Sequence, residues 1–226
     1  ERLLQRFPLE AGVPPGFKIL DDGKTRELIL EAIDATLTDA TSSPTSVLGK
    51  ALTTAVRFAS DANFDELLSK AIFERQWFET ASRLDLVSGT RDFTVASSIL
   101  AQALNVDPKL TVASLQSHRA RILKDSDLRA LSAHLASGGK RDAGLAHTVK
   151  RAIGNADDTV RADALRDYFL TSTGEERAAL MTKALGEERP DLLSLATTAQ
   201  RAFSSYSRQL DAVTLRDATL ALYALA

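Results

Sequence analysis

Not one cysteine occurs in the 226 residues, which removes disulfides, thiolate metal ligands and thiol nucleophiles together. Such a chain fits a reducing compartment, and the expected location is cytoplasmic. Aromatic residues make up only 6%, while Ala and Leu abound, a bias toward helix packed on helix rather than sheet on sheet. No apolar run approaches the ~18 residues that cross a bilayer, and no three-part signal peptide is present, so no membrane partner is expected. The Gly-x-x-x-x-Gly-Lys-[Ser/Thr] phosphate loop is missing, as is an Asp-Glu-x-x-Asp acidic box. Without a lysine and main-chain N–H groups around the β/γ-phosphates, and a carboxylate for Mg²⁺, these residues cannot hydrolyse ATP. No serine nucleophile elbow occurs either. His118, His134 and His147 lack the close spacing of metal ligands. No catalytic residue, metal or cofactor is therefore assigned.

What is present is ordinary for a globular chain: 44% hydrophobic and 26% charged residues, enough to exclude disorder as a whole and to build a core. The charge is unevenly spread. Between Leu115 and Arg151 eight basic residues stand against three acids, a balance of +5, and the remainder carries 20 against 27, or −7, giving the net −2. All three histidines fall in the same window. Such asymmetry hints at a side that faces a polyanion.

The pattern predicts an all-α, irregular domain of roughly eight to eleven helices, a range bounded by ordinary helix lengths, with no sheet of consequence. Leu3, Leu4 and Phe7 read as the last turn of a helix, broken by Pro8 and Val13-Pro14-Pro15-Gly16. Residues 1–16 are thus expected to be the end of a preceding helix and a Pro-rich lead-in loop, in a piece of something longer. Asp21 or Asp22 is expected to cap a helix through Thr38, and Thr45 or Ser46 to open one through Ala59. Asn63 starts the next, on which Phe73 and Trp77 stack. Gly89 ends that run and Asp92 restarts helix to Leu104. Pro108 sits at a first helical position in a helix running to Lys124. Ser126-Asp127 is expected to cap a helix through Ala136 with a Gly138-Gly139 C-cap, and further helices are expected from Asp142 to Ile153, from Asp157 or Asp158 to Phe169 and from Glu175 to Leu185. Residues 191–226 form one or two exit helices. The acid pairs Asp21-Asp22, Asp157-Asp158 and Glu187-Glu188 read as caps rather than as acid–base pairs. No fixed-period repeat is seen, and residues 1–226 are read as a single domain.

Two stretches carry a family likeness. Arg2-Leu3-Leu4-Gln5-Arg6-Phe7-Pro8-Leu9-Glu10-Ala11-Gly12-Val13-Pro14-Pro15-Gly16-Phe17 resembles the segment after the His-Ala-Phe-Cys motor motif of AddA, a subunit of bacterial double-strand break repair helicase–nucleases related to RecB and the UvrD-like superfamily 1 helicases. Phe169-Leu170-Thr171-Ser172-Thr173-Gly174-Glu175-Glu176-Arg177, with Leu180-Met181-Thr182-Lys183-Ala184-Leu185, is similar to a stretch of the same proteins. Their order matches one insert, the 1B subdomain that interrupts the first motor domain. The resemblance implies a parent that uses ATP and Mg²⁺ for 3′→5′ translocation on DNA, with an AddB partner subunit. This piece would be a helical arm along single-stranded or forked DNA. A surface for the AddB-like subunit, or a plain scaffold, is the alternative.

Phosphate contacts need cations and hydroxyls at accessible positions. The candidates are Arg119, Arg121, Lys124, Arg129, Lys140, Arg141, Lys150 and Arg151 from the basic window. Lys140 and Arg141 stand beside the free N–H groups that follow Gly138-Gly139. Thr182 and Lys183 come from the family-like stretch. Arg119, Arg121 and Lys124 cannot all share one helix face.

Overall fold

A short polar residue placed just before a helical run opens several of the elements. In the computed structural model, which describes residues 21–59, 61–74, 76, 79, 80, 83 and 93–226, Asp21 accepts from the Lys24 amide at 2.8 Å and caps α1, Asp22–Ser42. Ser46 does the same for α2, Val47–Val56, through the Gly49 amide at 3.0 Å. α3, Asp61–Phe73, and α4, Thr94–Ala103, follow. The lead-in loop of residues 1–16, the Trp77 stack and the Gly89 and Asp92 boundaries lie outside the described residues. α3 begins at Asp61, so Asn63 falls inside its first turn rather than before it.

The chain is all-α. Among the described residues there are ten helices, and the only strand-like pairing is a single antiparallel bridge between Leu170 and Glu176. It divides into two units, Glu1–Thr80 with Thr219–Ala226, and Ala81–Ala218. In the first, the core is small: Ile33, Ala40, Ala51, Ala55 and Leu68 with Ala221 and Leu225.

The second unit holds the larger core and all the candidate residues outside the family-like N-terminus. Its helices after α4 are α5 Val112–Ala120, α6 Asp125–Ala136, α7 Lys140–Ala152, α8 Asp158–Phe169 and α9 Lys183–Glu188. α10 spans Pro190–Leu225 as one 36-residue helix, with proline at a first position where its missing N–H costs nothing. Leu128, Leu131, Leu135, Val149, Leu165, Tyr168, Phe169 and Phe203 are fully enclosed, each large side chain contributing about 1.5–3 kcal/mol of burial. Tyr168, Phe169 and Phe203 meet as tilted rings 5.0 and 5.4 Å apart.

Three boundaries depart from the sequence reading. Pro108 sits in a turn, and α5 starts only at Val112, where Thr111 and Ser114 bond each other's amides in a capping box. α6 ends at Ser137 in ordinary helical geometry, and Gly139 is the N-cap of α7, so Gly138-Gly139 forms no left-handed C-cap. Gly138 is required for another reason: a Cβ there would lie 2.6 Å from a Leu185 methyl and 2.8 Å from Asp142 Oδ2. Residues 175–182 are not helical despite Glu-Glu-Arg-Ala-Ala-Leu, because their main chain is bonded elsewhere, as described next.

Candidate nucleic-acid interface

Arg161 of α8 fixes the frame. Its guanidinium is buried and donates to the Ala120 carbonyl at 2.6 Å, Ala152 at 3.1 Å and Leu123 at 2.8 Å, and pairs with Asp125. Ala120 and Ala152 end α5 and α7, so one cation satisfies orphan carbonyls at the negative ends of two helix dipoles. The Arg161 hydrogen bond, first, holds the Asp125 carboxyl below the usual carboxylate range. Ser132 of α6 donates to the Ala146 carbonyl of α7 at 3.1 Å, closing the α6–α7 pair.

α7 sorts its charge by face. Asp142, Ala146, Val149 and Ala152 point inward and are buried. Lys140, Gly144, His147 and Arg151, spaced i, i+4, i+7, i+11, are exposed along one stripe, with Lys150 exposed beside them. The helix's one acid, Asp142, is wholly enclosed and accepts from the Thr182 amide at 3.0 Å. Burial, above all, pushes the Tyr168 phenol up, and the nearby Asp142 adds to it. The outward face of α7 is therefore purely basic, and bare at Gly144, where nothing stands within 4 Å of a Cβ position.

The segment after α8 lies alongside this helix. Leu170 and Glu176 bridge, the Thr171 amide donates to Glu175 O at 2.7 Å, and the Arg177 amide to Phe169 O at 2.9 Å. Gly174 takes φ 86°, a left-handed conformation that glycine adopts without a Cβ penalty. Gln200 of α10, 5% exposed, donates both amide hydrogens, to Phe169 O at 2.8 Å and Arg177 O at 2.9 Å. Further along, Arg141 donates to Ala179 O at 2.8 Å and Asp142 takes the Thr182 amide. Between this hairpin and the helices lies an open cleft of about 460 Å³, lined by Thr148, Arg166, Asp167, Thr171, Ser172 and Arg177, with Leu170 at its wall.

The structure separates the ten sequence candidates. Arg119 is a correction: it is 8% exposed with its guanidinium 4.7 Å from the Phe203 ring centre, and burial, above all, lowers its pKa. A cation buried on a core ring cannot reach a phosphate. Arg121 pairs with Asp158 at 3.3 Å, and Arg129 stands 3.9 Å from Asp125. Arg141 is turned to Ala179 rather than to the α7 N-terminus. Thr182 is the N-cap position of α9, half-buried, and Lys183 is exposed and 3.7 Å from Glu187. Lys124, Lys140 and Lys150 are exposed and, among the described residues, make no ion pair. Arg151 is exposed and 3.1 Å from Asp167. α7 thus gathers Lys140, Lys150 and Arg151, and leaves Arg121, Lys124 and Arg129 to the neighbourhood of α6.

Arg166 and Arg177, which line the cleft, were not among the candidates. Counting charge along the sequence stops at Arg151, whereas these two are delivered by α8 and the hairpin. The usable signal was the Thr171-Ser172-Thr173-Gly174 turn flanked by two arginines.

The histidines do not meet: His118 stacks on Tyr206 at 5.3 Å, His134 bonds Leu185 O at 2.9 Å, and His147 is exposed on α7. Among the described residues no group of His, Asp and Glu is arranged to hold a metal, and no helix is long and apolar enough to cross a membrane. Comparison with protein-family models, curated proteins and solved structures gave no match.

Proposed function

We propose that this chain is a helical, non-catalytic arm that guides single-stranded or forked DNA by backbone-phosphate contacts, the 1B-type insert of an AddA-like helicase subunit. The observation that carries the DNA part is the outward face of α7, which presents Lys140, His147, Lys150 and Arg151 while its one acid is turned into the core. Cations on one accessible stripe neutralise phosphates without reading bases, so the binding is sequence-independent and salt-dependent. The helicase part rests on the two family-like stretches. ATP and Mg²⁺ belong to the motor domains of the parent, an AddB-like subunit is its partner, and the compartment is the cytoplasm.

Fluorescence anisotropy of labelled single-stranded and forked DNA across a salt series tests this. Affinity is expected to fall steeply with log salt and to drop further in a Lys140→Glu/Lys150→Glu variant, which changes two exposed side chains that make no ion pair among the described residues. Absence of binding at low salt removes the DNA-guiding role.

The alternative, a surface for an AddB-like subunit, would draw on exposed apolar side chains of the first unit such as Val47 and Phe73, 71% and 72% exposed.

A further inference from the structure

We infer that the cleft between α7, α8 and the 170–177 hairpin is a phosphate-binding site, with Arg166 and Arg177 as its cations and Ser172 as a hydroxyl donor. Arg166, Asp167 and Arg177 line it. Arg151 at 3.1 Å offsets Asp167, so of the charged residues that line the cleft the one carboxylate is already paired while two arginines remain, which attracts an anion; Glu175 and Glu176 of the hairpin are not in its lining. Neither cation is consumed by the fold's own acids. Arg166 is exposed and makes no side-chain ion pair among the described residues. Arg177 donates Nη2 to a main-chain carbonyl, Asp167 O at 3.1 Å, which leaves its charge unneutralised. A planar guanidinium offers parallel N–H donors that match the oxygens of a phosphate.

The cleft is also held in shape before any ligand arrives. The hairpin is anchored by the Leu170–Glu176 bridge, by both hydrogens of Gln200 and by the Thr171–Thr173 hydroxyl contact at 2.8 Å. Thr148 is tied to Gly144 O at 3.2 Å. Arginines on a fixed wall lose less side-chain freedom on binding than cations on a mobile loop. The volume, about 460 Å³, lies in the range of small-molecule sites, about 300–1,000 Å³. Thr148 sits beside the basic α7 stripe, so a nucleic-acid backbone lying on that stripe could place one phosphodiester here. A free phosphate or a phosphomonoester offers the same oxygens. The inference concerns the phosphate group and stands whether or not the chain guides DNA.

The test is a ¹H–¹⁵N titration of the 226-residue chain with sodium phosphate, against sodium chloride matched in ionic strength. Saturable shifts are expected at the amides of Thr171, Ser172, Gly174 and Arg177 with phosphate alone. Arg166→Gln removes an exposed side chain that makes no hydrogen bond or ion pair among the described residues and is expected to weaken binding about tenfold or more, roughly the value of one charge-assisted bond, with a melting temperature that does not fall. Ser172→Ala should weaken it less. No saturable shift at these amides, or an Arg166→Gln protein that titrates like the parent, overturns the site. Competition then separates the sources. Displacement of phosphate by an unphosphorylated oligothymidylate marks the backbone diester, and displacement only by its 5′-phosphorylated form marks a terminal monoester. If phosphate binds and neither oligonucleotide competes, the site stands as one for small phosphorylated ligands, and the α7 stripe must carry any DNA contact without it.

Discussion

At the scale of single residues, the second unit is tied by polar side chains that grip main chain. Arg161 is the strongest case, because three carbonyls and the Asp125 carboxylate depend on it. Arg161→Leu leaves the three buried carbonyls without that donor, while the part-exposed Asp125 keeps the Gly154 amide, and the expected loss is about 3 kcal/mol or more, read as a lowered urea midpoint. Arg161→Lys should recover little of it, since an ammonium cannot reach three divergent carbonyls as a fork does. At the start of α10, Arg189 grips Asp191 with two bonds of 2.9 and 2.7 Å. The side-chain bond from Arg189, first, holds the Asp191 carboxyl down at about 2. A depressed folded pKa means that the pair's contribution is complete above the ordinary carboxylate range, about 3.9, and is lost as pH falls toward about 2. Stability measured by denaturant melts from about pH 5 downward should decline through that window. Asp191→Asn should flatten that part of the decline.

Among the elements, the caps were the most legible feature. Asp21, Ser46 and Asp157 each precede a helical run and each cap it in the structure, because an N-cap is a local rule of residue type and position. Other cap expectations fail: α6 starts at Asp125 behind Lys124, which makes no side-chain cap bond, so Ser126-Asp127 lie inside its first turn, and Glu187-Glu188 close α9 at its C-terminal end. The 107–124 and 175–185 stretches misled for a shared reason: local helix preference was overruled by distant partners. Pro108 and Leu110 give their carbonyls to Arg216 at 3.1 and 3.0 Å, which holds the turn ahead of Thr111. In the second stretch Arg177 takes both its amide and carbonyl bonds from Phe169 and Gln200. Gln200→Leu should therefore loosen the hairpin specifically. Its expected signature is faster amide exchange at Thr171 and Arg177 and a loss of about 1–3 kcal/mol from two stranded carbonyls, with α7 amides unaffected. The basic character of α7 was visible in the sequence. That Arg119 would leave the surface and Arg166 and Arg177 would join it was not, since helix phase and the return of the hairpin are set by packing.

For the whole molecule, the two units differ in what fills them. Among the described residues the first fully buries mostly alanines with Ile33, Leu68 and Leu225, its other large side chains such as Leu48 and Phe64 being only partly buried, whereas the second encloses Tyr168, Phe169, Phe203 and a run of leucines. Apolar area buried scales with side-chain size, so calorimetry should show two transitions, the lower one from the first unit. Removing residues 219–226 takes Ala221 and Leu225 out of that core and should lower this transition alone.

The long-range polar anchors have a further consequence. Arg141, Arg161, Gln200 and Arg216 all donate to main-chain carbonyls, those of Ala179, Ala120, Leu123, Ala152, Phe169, Arg177, Pro108 and Leu110. A carbonyl is the same whichever side chain accompanies it. As sequences of this fold drift apart, the four donors should therefore hold still while residues such as Ala179 or Leu110 change freely. The loops can be rewritten for new surfaces without surrendering their moorings.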